Sequence, residues 1–164
     1  SPHPLGSQPV IARVPWAGGR VLRSRLALPT GREHALRSGS LLTTVYRAWA
    51  SPGNVDGLVS QSGPYRAALR RPFAAHTALR GLTASRSLSR EARRTLSEPL
   101  QVPVLSLVGR DDGAWSVLDH AADAQFVDAP LTQVVIREAG HFLPEEAPSA
   151  VAEALAEHVD TRAL

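Results

Sequence analysis

Apolar positions between residues 40 and 98 fall at helical spacing. Leu41, Leu42, Val45, Tyr46 and Trp49 recur three and four residues apart, which predicts a helix with Ser40 as its N-cap. Ser51-Pro52-Gly53 stops it. Pro64, well suited to a first helical turn, opens a second helix through Tyr65 and Leu69. Pro72 breaks that helix by removing a backbone donor and crowding the preceding turn. The pattern resumes at Phe73 and runs through His76, Leu79 and Leu82, and Ser89 to Leu96 reads as a short polar helix. Residues 1–40 are punctuated by proline and glycine and read as irregular, with a helical turn or two over Arg20–Leu26. No strand pattern occurs in the first hundred residues.

At Glu98 the register changes. Pro99-Leu100-Gln101-Val102-Pro103 is an extended approach, because a residue before proline avoids the helical region. Val104-Leu105-Ser106-Leu107-Val108 is a nearly continuous apolar run ended by Gly109, as suits a strand buried on both faces of a parallel sheet. Residues 114–126 predict a helix with Val117, Leu118, Ala121 and Ala122 on one side. A second strand, Val134-Val135-Ile136, leads into Gly140-His141-Phe142. A closing helix from Glu145 presents Val151, Leu155 and Val159, with Glu145 and Glu146 placed where negative charge favours its N-terminus. This is a βαβα unit with adjacent parallel strands and a right-handed crossover. Two strands do not make a stable open sheet, so further strands are expected from outside this sequence or from its first forty residues.

Composition narrows the chemistry. The 164-residue chain has no cysteine, excluding disulfides and thiolate catalysis, and no lysine, excluding Schiff bases on its own side chains. It begins at Ser1 and contains no methionine, as expected of a processed or truncated piece. No apolar run is long enough to span a bilayer and no signal-peptide order opens the chain, so a cytoplasmic protein without membrane partners is expected. Residues 1–100 hold 15 arginines against four acids, whereas residues 101–164 hold three against eleven. That asymmetry fits either mutually attracting faces or a basic polyanion-binding module. Few aromatics and no nucleic-acid motif accompany the arginines, so no nucleic-acid partner is expected.

Functional residues of parallel sheets lie in loops after the strands' carboxyl ends. Asp111-Asp112 follow the first strand and His141 the second, and the βαβ crossover returns both loops to one edge. A carboxylate beside a histidine fixes one imidazole tautomer and stabilises the imidazolium formed when the other nitrogen takes a proton. The remaining histidines have no metal-ligand spacing, and neither metal nor organic cofactor is expected.

These motifs, Val102-Pro103 through Gly109-Arg110-Asp111-Asp112 and Glu138-Ala139-Gly140-His141-Phe142-Leu143-Pro144-Glu145-Glu146, resemble the C-terminal end of α/β-hydrolase-fold enzymes, in the epoxide-hydrolase-like and haloalkane-dehalogenase-like branch. Ser1-Pro2-His3-Pro4-Leu5 and Tyr65–Pro72 resemble that group's passage into a helical cap and the cap helices. The resemblance implies an α/β fold: a cap region over residues 1–98, then a C-terminal core portion over 99–164. It places the acid on Asp112 rather than Asp111 and the base on His141. The implied substrate is a small apolar ester, epoxide or related molecule, with Tyr46, Trp49, Tyr65 and Phe142 as candidates to line its pocket. The family's nucleophile elbow, Gly-x-Ser-x-Gly or its aspartate version, does not occur here. The nucleophile is therefore expected on an upstream half of the core, a partner of this chain. The alternatives are a catalytically inactive or truncated homologue and the polyanion-binding module.

Overall fold

In the computed structural model, which describes residues 31–84 and 89–161, most breaks between elements fall at the proline and glycine signals. Ser1–Leu5 and Arg20–Leu26 lie outside the described residues. Helix α1, Gly31–Ser38, occupies sequence expected to be irregular. No breaker interrupts it after Gly31, and its Ala35 and Leu36 pack against buried Leu41. Helix α2, Ser40–Trp49, follows after one residue, and its N-cap is Gly39 rather than Ser40. Gly39 takes φ 82, a left-handed conformation, and a Cβ there would meet the Arg66 side chain at 2.6 Å. Glycine alone turns α1 into α2 at this point.

Ala50 leaves α2 in an extended conformation, and a 3-10 turn, Pro52–Asn54, leads into helix α3, Val55–Ser60. The sequence reading passed over α3, whose single buried anchor, Leu58, joins Tyr46 and Ala50 in one cluster. Helix α4 is Gly63–Leu69, with Pro64 in its first turn. Pro72 then breaks the chain, and helix α5 runs Ala74–Ala84. Helix α6, Arg90–Ser97, is capped by Ser89, whose hydroxyl accepts the Ala92 N–H at 3.1 Å.

Strands β1, Val104–Gly109, and β2, Leu131–Ile136, pair in parallel, in register from Val104 opposite Leu131 to Gly109 opposite Ile136. The molecule is a mixed α/β protein, and these are the two strands of its sheet among the described residues. Between them lie helix α7, Val117–Ala121, opened by a reciprocal Ser116–Asp119 capping box, and a 3-10 turn, Ala122–Phe126. Helix α8, Leu143–Glu146, and helix α9, Pro148–Asp160, close the chain.

Two helical faces differ from the sequence reading. On α7 the inward residue is His120, whereas Leu118 is 81% exposed and Val117, Ala121 and Ala122 also face water. Polar anchors set this rotation: His120 Nδ1 lies 3.2 Å from Ser106 Oγ on β1, and Gln133 of β2 donates to the His120 carbonyl at 2.5 Å. Buried polar groups demand such partners more strongly than one leucine demands cover. On α9, Val151 and Ala154 are half-buried while Leu155 and Val159 are exposed, so the stripe is displaced by one position.

The strand ends are closely fitted. A Cβ on Gly109 would collide with the carbonyl oxygens of Gly140 and Ala139, both fixed backbone of the facing loop. Gly109→Ala is expected to destabilise the protein by about 1–3 kcal/mol, as overpacking does. Urea denaturation followed by circular dichroism measures it, and an unchanged midpoint would disprove the fit.

Candidate functional site

The loops after β1 and β2 are bonded to each other before either reaches its functional residue. The Arg110 N–H donates to the Ile136 carbonyl at 2.9 Å and the Asp111 N–H to that of Ala139 at 3.0 Å. Asp112 then folds back on itself. Its Oδ1 accepts the backbone N–H groups of Ala114, at 2.7 Å, and Trp115, at 3.0 Å. That local turn fixes the carboxylate and leaves Oδ2 to face His141 Nδ1 at 3.0 Å. The Asp112 side chain is 6% exposed and that of His141 24%, so the acid is enclosed while the imidazole stays accessible. Asp111 does different work: its carboxylate accepts the Ser51 hydroxyl at 2.8 Å, tying the β1 loop to the end of α2.

His141 is held from its backbone outward. Its N–H donates to the Trp49 carbonyl at 2.9 Å, and the Gly113 N–H reaches the same oxygen at 3.3 Å. Its ring meets the Trp49 indole edge to face, centroids 5.0 Å apart, and the Phe142 ring at 5.3 Å. Phe142 continues edgewise onto Tyr46 at 4.9 Å. With Nδ1–H donated to Asp112, Nε2 is the nitrogen available to accept a proton.

A cavity of about 220 Å³ opens beside this pair, lined by Leu107, Asp112, Trp115, His120, His141, Leu143, Pro144 and Val151. The four residues expected to line a substrate pocket are absent from its wall. Tyr46 is buried against Phe142, and that burial raises its phenol above the ordinary 10.0. Tyr65 is 47% exposed and donates to Glu145 at 2.5 Å, a bond that raises its pKa as well. Phe142 serves as the spacer between Tyr46 and His141. Trp49 stands beside the imidazole, and its buried indole N–H has no hydrogen-bond partner among the described residues. A buried unpaired donor is costly, and this one finds no acceptor among the described residues.

Two residues of the site escaped the sequence reading. From the sequence Glu146 reads as a charge favouring the closing helix, yet its carboxylate turns backward. Oε2 accepts the N–H groups of Ser51 at 2.8 Å and Gly140 at 2.9 Å and the Asn54 amide at 3.2 Å, and Oε1 accepts the Phe142 N–H at 2.9 Å. It thus grips both sides of the His141 turn and the segment following α2. His120 lies in the cavity wall, 4% exposed. Its signal was Ser106, one hydroxyl in an apolar strand that had to find a partner. Among the described residues no group of three His, Asp or Glu is placed to hold a metal ion, and no helix is long and apolar enough to cross a membrane.

No protein-family model matches this chain, and no curated protein does. Solved structures do match. The crystal structure of Cfl2 wild-type from Burkholderia cenocepacia superposes with a TM-score of 0.59 at 22% identity, over 87% of this chain and 49% of that one. The likeness is one of fold, and the chain spans about half the length of Cfl2.

Burial of His120 lowers its pKa below the ordinary 6.5. The folded state therefore prefers the neutral imidazole and binds fewer protons than the unfolded chain below that pH. Stability is expected to be complete above pH 6.5 and to fall as acid is added, down to the folded-state pKa. An NMR titration should show the His120 Cε1–H midpoint below 6.5. A midpoint at or above it would contradict the burial.

Proposed function

We propose that this chain is the cap and C-terminal core portion of an α/β-hydrolase-fold hydrolase that acts on a small, mainly apolar ester, epoxide or related substrate. The observation that carries this reading is the 3.0 Å pair of His141 Nδ1 and Asp112 Oδ2, with the second carboxylate oxygen already held by two backbone N–H groups. A carboxylate fixed in that way orients an imidazole as a base, and a purely structural ion pair does not need the imidazole left accessible. The likeness to about half of Cfl2 is compatible with a chain that forms one part of a larger core. Exposed Val135, Leu155 and Val159 offer apolar surface for the upstream part to cover.

In this mechanism the nucleophile comes from the upstream half of the core. With a serine nucleophile, His141 Nε2 takes the hydroxyl proton as oxygen attacks, then returns it to the leaving group. With an aspartate, the same nitrogen takes a proton from the water that hydrolyses the covalent ester. Asp112 stays ionised in either case, stabilising the imidazolium and holding Nδ1–H in place.

Fused to an upstream half bearing a nucleophile elbow, the chain is expected to hydrolyse a short-chain p-nitrophenyl ester or a styrene-type epoxide. Asp112→Asn should lower kcat by about 10⁴-fold and His141→Gln by at least as much. Activity that survives His141→Gln would overturn the assignment. A folded fusion with no activity on either substrate would leave the inactive homologue as the better reading.

A further inference from the structure

A second cleft lies on the helical segment and shares no lining residue with the cavity around His141 among the described residues. It is an open cleft of about 520 Å³ between α1 and the turn that joins α4 to α5, lined among the described residues by Glu33, Arg37, Arg70, Pro72, Phe73 and His76. That volume is in the range of small-molecule sites, roughly 300–1,000 Å³.

The charges in the cleft are unbalanced. Its one carboxylate among the described residues, Glu33, is engaged by His76, with Oε1 2.9 Å from Nδ1. Arg37 and Arg70 have no carboxylate partner among the described residues, and Arg70 Nε donates only to the Arg37 carbonyl at 3.4 Å. Two guanidinium groups with unspent donors at one cleft are suited to a planar oxyanion, which each can grip through a fork of N–H groups.

Phe73 supplies the other half of the site. It is 83% exposed and its backbone has φ 60, a left-handed conformation that bulky L residues rarely adopt. Neither core packing nor backbone comfort selects phenylalanine at such a position, where glycine or asparagine would sit without strain. Backbone strain of this kind persists at ligand sites, where the side chain's presentation outweighs its conformational cost. Here the turn presents an aromatic ring on the wall of a cleft that already holds two arginines with no carboxylate partner among the described residues.

We infer that this cleft binds a small organic oxyanion carried on an aromatic ring, its phosphate or carboxylate held by Arg37 and Arg70 and its ring lying against Phe73. Glu33 on the same wall repels a second anionic centre, which favours a single head group over an extended polyanion. The site is independent of the hydrolase reading and needs no upstream partner.

The test titrates the intact protein with phenyl phosphate, benzoate and inorganic phosphate, followed by ¹H–¹⁵N NMR. Saturable shifts confined to residues around 33–37 and 70–76 are expected with phenyl phosphate or benzoate, the tighter of the two identifying the head group. Inorganic phosphate should bind at least about tenfold more weakly, since it lacks the stacking ring. Arg37→Gln and Arg70→Gln should each weaken the aromatic anion about tenfold, the loss of one charge-assisted contact. Phe73→Gly separates a binding role from a structural one. Glycine relieves the left-handed backbone, so Tm should rise by roughly 2–4 °C while the preference for aromatic anions disappears. A lower Tm in Phe73→Gly, or an unchanged preference, would overturn the inference. So would the absence of saturable shifts with both aromatic anions. Salt-sensitive heparin retention without those shifts would assign the arginines to a polyanion instead.

Discussion

One backbone carbonyl, that of Trp49, organises the whole site. It sits at the C-terminal end of α2, where helical carbonyls have no partner within their own helix. Rather than meeting water, it accepts the N–H of His141 and that of Gly113, one from each loop of the sheet edge. The fit requires glycine on both loops. A Cβ on Gly113 would run into the Ala48 carbonyl, and one on Gly140 would lie 2.5 Å from the Trp49 oxygen. Asp112 and His141 are thus brought together by a helix end that belongs to neither strand. The 3.0 Å separation of Asp112 and His141 follows from that arrangement as much as from the parallel pairing of β1 with β2.

Carboxylates reinforce the same junction in graded ways. Asp111 binds the Ser51 hydroxyl, Glu146 binds the Ser51 N–H, and Asn54 donates both to Glu146 and to the Glu138 carbonyl at 2.9 Å. Each of these bonds is worth about 1 kcal/mol net, more where the acceptor is charged. Their larger effect is geometric, because removing any acceptor leaves donors enclosed without a partner. The acid-rich stretch after residue 100 therefore acts in part as a set of acceptors for backbone N–H groups at the strand ends. Its contrast with the arginine-rich helices is no simple match of opposite faces: Arg37 and Arg70 carry no carboxylate partner among the described residues.

Local patterns made the parallel βαβ unit legible. An apolar run ended by glycine, a β-branched run after a helical spacing, and Pro72 as a breaker are all signals read within a few residues. The same locality explains the juxtaposition of His141 and Asp112, since the βαβ crossover returns both loops to one edge. What stayed hidden depends on residues far apart in the chain. Glu146 meets Ser51 across 95 positions, and no spacing rule announces such a bond. The rotation of α7 departs from its apolar stripe because His120 answers to Ser106 and Gln133, polar anchors contributed by the strands. Tyr46 and Phe142 were expected at a pocket and are used as packing, because aromatic spacing on a helix says which face is apolar and not what covers it. Gly39 displaced Ser40 as the cap for a reason local to the tertiary structure: α1 ends directly beside α2, and only a left-handed residue makes that corner.

The shared carbonyl has a mechanical consequence. Because both loops hang from the end of one helix, a tilt of α2 carries the carboxylate and the imidazole as a single body. Their mutual distance is insulated from such a motion. What changes is the direction in which the free nitrogen points. A helical segment that sways, or is remodelled in sequence beyond its contact stretch, would therefore re-aim the imidazole without parting it from Asp112.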